Sequence, residues 1–300
     1  MNLINHLLFR PPEKTCFIHP SRFFWINKKE GEEDSGIPCF LIKHEKAKLT
    51  LLYSHGNGED LGRTYNYLNM LSQLLRVSIF SYEYEGYGFN TGIPTEEKCI
   101  EHVYAAFKYL TTDGKLKPHE IVLVGQSLGT GPTCHLAATL SGDGTPAAGV
   151  ILQSPFLSIF RIPLPFHTQR AIMGDIFDNM SKVISIKCPV FIIHGKLDNV
   201  IPFFHAIELL DAVPLAWQFT PLWLSSAGHN DILSDHLEEY LEGVSAFLAT
   251  ITLRNDEGVA YRRKAVSYRS KKGSLASLNS FHSVTRGTST KTPLIKNATK

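Results

Sequence analysis

The sequence predicts an α/β protein with a mostly parallel central sheet, helices on both faces and a minimal lid. Three observations carry this expectation. Short apolar, β-branched runs alternate with longer helix-like stretches along the body of the chain, which is how βα units build a parallel sheet. Several of these runs end in loops rich in Ser, His, Asp and Gly, and open α/β sheets place their sites at the carboxyl ends of strands. One such loop, Gly125-Gln126-Ser127-Leu128-Gly129, lies between a strand-like run and a helix-like one. A Gly-x-Ser-x-Gly in that setting is the sharp turn that lifts a serine hydroxyl above a sheet edge.

In chain order, residues 22–27 and 37–43 read as an opening antiparallel pair. Strands are expected near 49–54, 77–82, 121–125, 149–154, 189–194 and 218–225, the last interrupted by Pro221. Helices are expected near 61–75, 95–110, 128–140, 203–212 and 232–250. The connection at 155–188 is too short for a separate cap domain. Its Phe156, Phe160 and Phe166 either form an apolar substrate rim beside Ser127 or pack as ordinary crossover residues.

A serine hydroxyl needs a base to take its proton and a third group to orient that base. On this type of sheet the order along the chain is Ser, acid, His. Asp198 follows the apolar run 189–194 directly, whereas the rival acids Asp175 and Asp178 follow no strand. His229 sits between the last strand and the last helix, while His205 and His236 fall within helix-like stretches. Asp231 is better placed to cap that helix, which leaves His229 free for chemistry. Ser127, Asp198 and His229 are therefore the expected catalytic residues. Glycine is expected at 125 and 129 because a Cβ there would strike the adjoining strand or helix.

Acyl transfer develops an oxyanion, and each backbone N–H aimed at it is worth about 3–4 kcal/mol. Leu128, next after the serine, should supply one donor. The loop His55-Gly56-Asn57-Gly58 after the strand at 49–54 should supply the other through Asn57, with Gly56 and Gly58 as hinges. That loop lacks the lysine and Ser/Thr of a phosphate-binding P-loop. No His or Cys spacing suggests a metal site. No metal or cofactor is expected.

Tyr53-Ser54-His55-Gly56-Asn57-Gly58-Glu59-Asp60-Leu61-Gly62 resembles the oxyanion segment of the α/β-hydrolase superfamily. More narrowly, it is similar to the branch of α/β-hydrolase domain proteins that act as protein depalmitoylases. Tyr84-Glu85-Gly86-Tyr87-Gly88, Gly125 to Thr130, Ser154-Pro155-Phe156, His194 to Asp198 and Gly228-His229-Asn230-Asp231 match the same branch. The resemblance runs from about Pro11 to Leu248. It implies an α/β-hydrolase fold, Ser127 as nucleophile, Asp198 as acid, His229 as base, and a thioester substrate on a membrane-attached protein. Members of that branch begin with a dense, acylated cysteine cluster; here Cys16 is the earliest cysteine.

Residues 1–253 read as one catalytic domain with a lead-in at 1–20, and residues 254–300 as a tail. Five scattered cysteines argue for free thiols in a reducing, cytoplasmic compartment. No run reaches membrane-span length. The tail holds eleven Lys/Arg against two acids, a net +9; with +2 for the whole chain, the rest carries −7. Such a Ser/Thr-rich basic tail is expected to be disordered and to offer a peripheral contact with anionic membrane. Nucleic acid is not an expected partner, since the body is acidic and no reading module is visible.

The expected function is hydrolysis of (thio)esters by the Ser127, His229 and Asp198 triad, foremost the removal of S-acyl (palmitoyl) groups from proteins, with an S-acylated protein or an acyl ester as substrate. The alternatives are a carboxylesterase or lipase on small or lipid esters, a serine peptidase, and a catalytically dead scaffold of the same fold.

Overall fold

Among the described residues, eight strands form one sheet in the order β1-β2-β4-β3-β5-β6-β7-β8. They are β1 (Phe24–Ile26), β2 (Ile37–Ile42), β3 (Thr50–Ser54), β4 (Ser78–Tyr82), β5 (Ile121–Gln126), β6 (Gly149–Gln153), β7 (Val190–Gly195) and β8 (Leu222–Leu224). The coordinates are a computed structural model that describes residues 8–15, 22–27, 36–164 and 174–257. β1 pairs antiparallel with β2, and β2 with β4; every other pairing is parallel. The expected opening antiparallel pair and the parallel body are both present.

Both faces of the central strands are buried, and alternate residues serve different cores. Ile121 and Leu123 of β5 join one apolar cluster with residues of α2 (Glu96–Thr112), α3 (Thr130–Gly142), α4 (Asn179–Val183) and α5 (Phe204–Ala212). Val122 and Val124 point the other way. They pack with α1 (Leu61–Leu75) and the long terminal helix α7 (Leu237–Glu257). Continuous apolar runs rather than alternating ones are what such doubly covered strands require.

Helix ends follow local chemistry. Asp60 caps α1 by accepting from the Arg63 N–H, and Thr95 caps α2 by accepting from that of Lys98. α1 stops where Arg76 turns left-handed, with φ 56°.

Three expectations are corrected. The helix expected at 232–250 is broken: α6 (Ile232–Asp235) ends at His236, whose φ −129° and ψ 30° are not helical, and α7 starts anew. The last strand is shorter than 218–225. Pro221 offers no N–H to a ladder, so only an isolated bridge from Gln218 to Val190 precedes β8. The boundary at 253/254 falls inside α7, which continues to Glu257; there Asn255 Nδ2 donates to the His119 carbonyl. The rest of the expected tail lies outside the described residues.

Strand order places the site. β3 pairs with β4 on one edge and β5 on the other, so the crossovers diverge between β3 and β5. Ligand crevices open at such switch points, outside the carboxyl ends of the strands. The His55 loop leaves β3 there, and Ser127 leaves β5 there.

Candidate active site

Ser127 begins a short 3-10 turn, Ser127–Gly129, between β5 and α3, with φ 50°. A β-carbon makes that left-handed region unfavourable by about 1–2 kcal/mol. The surroundings hold it there. Ser54 of β3 lies in register with Gly125. A Cβ on Gly129 would sit 2.1 Å from the Ser54 carbonyl oxygen, and one on Gly125 2.6 Å from the Gly129 oxygen. Both glycines are thus required by close backbone approach, as expected. Thr130 Oγ1 donates to the Ser127 carbonyl at 2.7 Å. Asn179 Nδ2 in turn donates to Thr130 Oγ1 and to the Phe156 carbonyl. Asn179 is therefore a buried structural amide.

The three side chains singled out from separate parts of the chain meet. His229, in the turn between β8 and α6, has Nε2 3.0 Å from Ser127 Oγ. Its Nδ1 lies 2.7 Å from Asp198 Oδ2. The imidazole side chain is 9% exposed and the carboxylate 0%. Asp231 occupies the N-cap position of α6, but its carboxylate turns back to accept from the Gly228 N–H at 2.7 Å. It braces the turn that carries His229 rather than capping the helix.

Asp198 is held on every side. Oδ1 accepts from the backbone N–H groups of Val200 and Ile201, at 2.9 and 2.7 Å. Oδ2 faces both His229 and His194, whose Nε2 is 3.3 Å away and donates to the Ile201 carbonyl. Burial pushes the carboxyl pKa up, but the two imidazoles and the Ile201 N–H outweigh it and hold it well below the usual carboxylate range. Asp198 is therefore an anion throughout the neutral range.

In the loop after β3, the Asn57 side chain is fully engaged. Its Oδ1 accepts from the Arg10 N–H at 2.8 Å and the Tyr87 hydroxyl at 2.6 Å; its Nδ2 donates to the Leu8 carbonyl at 2.7 Å. The hinge role expected of Gly56 and Gly58 is not found. Neither has a positive φ, and a Cβ on Gly58 would meet nothing within 4 Å. The turn is shaped instead by Glu59, whose Oε2 accepts from the Gly56 N–H at 2.8 Å.

The expected apolar rim is corrected too. Phe156 is 1% exposed and belongs to the core on the α3 face, its carbonyl taken by Asn179. Phe160 is half-buried, and Phe166 lies outside the described residues. Arg161 forms buried contacts with Asp175 at 3.7 Å and Asp178 at 3.4 Å; these rival acids thus serve the crossover, far from the imidazole of His229 in role. The described cysteines 39, 99, 134 and 188 are buried, and burial pushes the Cys188 thiol up to about 12. None is poised as a nucleophile.

Sequence reasoning overlooked several supporting residues. Glu83, just past β4, pairs with His55. His194 stands four residues before Asp198. A chain of side chains runs from Gln126 Oε1 through the Tyr53 and Tyr67 hydroxyls to Glu59 Oε1. The only local signals were polar residues directly after apolar runs. Beside His229 opens a cavity of about 330 Å³, lined by Glu59, Tyr67, Gln126, Gln153 and Asn230 among others.

A parallel sheet with antiparallel first strands, a left-handed serine after its central strand, and an acid and a histidine after later ones define the α/β-hydrolase class. Solved structures agree: an esterase from Pyrococcus furiosus superposes with TM-score 0.61 at 16% identity, covering 82% of this chain and 98% of its own. No family model matches the chain. It is 36% identical to human α/β-hydrolase domain-containing protein 17B over 271 residues, covering 82% of this chain and 91% of that one. It is also 36% identical to mouse protein 17C over 217 residues, 72% of this chain. That match spans 65% of the mouse protein, just under two thirds of its length. The chain belongs to the α/β-hydrolase domain-containing protein 17 family.

Proposed function

We propose that this protein is a serine hydrolase that removes fatty acyl groups held in thioester linkage on proteins. The observation that carries the reading is the continuous hydrogen-bond relay Ser127 Oγ–His229–Asp198 at a strained turn.

The steps follow from the geometry. His229 Nδ1–H donates to Asp198, which leaves Nε2 as the base facing Ser127 Oγ. As Oγ attacks the acyl carbonyl, Nε2 takes its proton, and the Asp198 anion stabilises the imidazolium. The backbone N–H groups of Leu128 and Asn57 serve as the oxyanion donors; the engaged Asn57 side chain holds that loop in place. The C–S bond then breaks, and His229 returns the proton to the departing thiolate. Water, deprotonated by His229, attacks the acyl-serine; the acyl C–Oγ bond breaks, His229 returns the proton to Ser127 Oγ, and the carboxylic acid leaves.

Two considerations favour a protein thioester over a small ester. The family resemblance points to protein depalmitoylases. The connection between β6 and β7 is too short for a separate cap domain, which favours a bulky acylated protein over a deeply enclosed small molecule. No helix among the described residues is long and apolar enough to cross a membrane. Contact with anionic lipid through the basic segment after residue 257 is a further part of this proposal.

The test is labelling of Ser127 by a fluorophosphonate, competed with acyl thioesters of graded chain length, a nitrophenyl ester and a monoacylglycerol. Competition that strengthens with thioester chain length is expected. Indifference to chain length reduces the reading to a generic esterase, and an unlabelled Ser127 in folded protein favours an inactive scaffold.

A further inference from the structure

The cavity beside His229 has a chemistry that the relay does not use. Gln126, immediately before Ser127, forms part of its wall, and His229 and Asn230 form another part. It therefore lies beside the imidazole that returns its proton to the leaving group. Its one acid is Glu59, and no Lys or Arg is among its lining residues. Glu59 is half-buried, and accepting from the Gly56 N–H and the Tyr67 hydroxyl leaves further acceptor capacity on its carboxylate. The Tyr67–Tyr53–Gln126 chain fixes this wall against the β-strands.

Much of the remaining wall is apolar, with Met70, Ile232 and Leu233 beside Tyr67. A fatty acyl chain would match that wall but would cover the Glu59 carboxylate without offering it a hydrogen bond, whereas the alkyl stem of a Lys or Arg side chain covers the same wall while its head reaches the carboxylate. A cation suits it well: an ammonium or guanidinium would meet a fixed carboxylate in a partly desolvated cleft, where charge-assisted hydrogen bonds are strong. A volume of about 330 Å³ lies at the small end of ligand-site volumes and accommodates a side chain rather than a folded element.

We propose that this cleft is a leaving-group subsite in which Glu59 selects a Lys or Arg side chain next to the scissile acyl-cysteine. The proposal rests on the hydrolase reading above and adds substrate selection to it. Glu59 also accepts from the Gly56 N–H, so its replacement will change turnover as well as selection; the quantity to read is therefore a ratio.

The experiment measures kcat/KM of the wild-type protein on peptides carrying one S-octanoyl cysteine flanked by Lys, by Gln or by Glu. A Lys-over-Glu ratio of about tenfold is expected at low salt, falling as salt rises. Glu59→Gln, which retains an acceptor for the Gly56 N–H, should bring the ratio near one. Met70→Lys, a partly exposed cavity position on α1, should bring it to one or below and guards against a misfolded Glu59 variant. Glu97→Gln, an exposed acid at the start of α2 on the other face of the sheet, should leave it unchanged, which separates the cleft from the acidity of the body at large. A wild-type ratio near one, or a ratio that survives both cleft substitutions, overturns the subsite while turnover upholds the hydrolase. No turnover of any peptide, together with an unlabelled Ser127, overturns the hydrolase and the subsite with it.

Discussion

His55 and Glu83 face each other as a fully buried pair, with Nε2 2.9 Å from Oε1. His55 Nδ1 is 2.9 Å from the Gly56 carbonyl, which can only accept. Glu83 Oε2 accepts from the Leu61 N–H at the start of α1. The pair ties the loop after β3 to the end of β4 and to α1. Burial disfavours the imidazolium, but the Glu83 hydrogen bond and charge outweigh it, so the His55 pKa is raised above its ordinary 6.5.

A raised folded value means that the native state holds the proton more tightly than the unfolded one. The resulting stability is fully present below the unfolded value, about 6.5, and is lost as pH rises through the folded value. Glu83→Gln should cost about 3–5 kcal/mol at pH 6, and the gap from wild type should narrow at alkaline pH. Denaturant titrations across pH, with NMR titration of the His55 imidazole, check this. An imidazole midpoint at or below 6.5 would contradict it.

Ser127→Ala should lower kcat on the order of 10⁶-fold while leaving the fold intact. Ser127→Gly should be equally inactive but more stable than the alanine variant by about 1 kcal/mol, because glycine occupies φ 50° without a Cβ clash. Thermal unfolding of the two inactive proteins reads the difference; alanine equal to glycine would show that the turn is unstrained.

Two glycines near the same site should behave oppositely. Gly129→Ala drives a Cβ to 2.1 Å from the Ser54 oxygen and 2.8 Å from that of His55. Backbone cannot yield as a side chain does, so a loss of at least about 3 kcal/mol is expected. Gly58→Ala meets nothing within 4 Å and should stay within about 0.5 kcal/mol of wild type. A well-folded, active Gly129→Ala protein would refute the close approach of β3 and the serine turn.

Asp198→Asn should reduce turnover about 10⁴-fold by disturbing the His229 tautomer. The folded carboxyl value is depressed, so its stabilising contribution is present above the unfolded value, near 3.8, and is lost as pH falls through the folded value. The stability gap between wild type and Asp198→Asn should therefore be constant from pH 5 to 7 and shrink in strong acid. A gap that widens on acidification would reverse the assigned sign.

Much of this was legible in the sequence because the signals are local. Gly125 and Gly129 bracket Ser127 at a spacing that only a strand–turn–helix needs, and the apolar runs at 121–124 and 190–193 mark strands buried on both faces. Pro221 shortens the last strand for a reason written in one residue. The place of Phe156 was not legible, because an aromatic just after a strand is equally at home at a rim or in a core. Its burial depends on α3 and Asn179, which are remote in the chain. The break at His236 escaped notice because the apolar periodicity runs through it unbroken.

Ordered strand ends, the glycine-flanked serine and the acid and histidine that follow were determined by the sequence alone, since each depends on a few neighbouring residues. Only the tertiary structure decided that Glu83 sits beneath His55, that His194 shares Asp198 with His229, and that Glu59 faces the cleft rather than solvent. Those pairings arise where β3, β4, β5 and β7 are brought side by side. Sheet order and the burial of one face against another are long-range packing outcomes that no local spacing encodes.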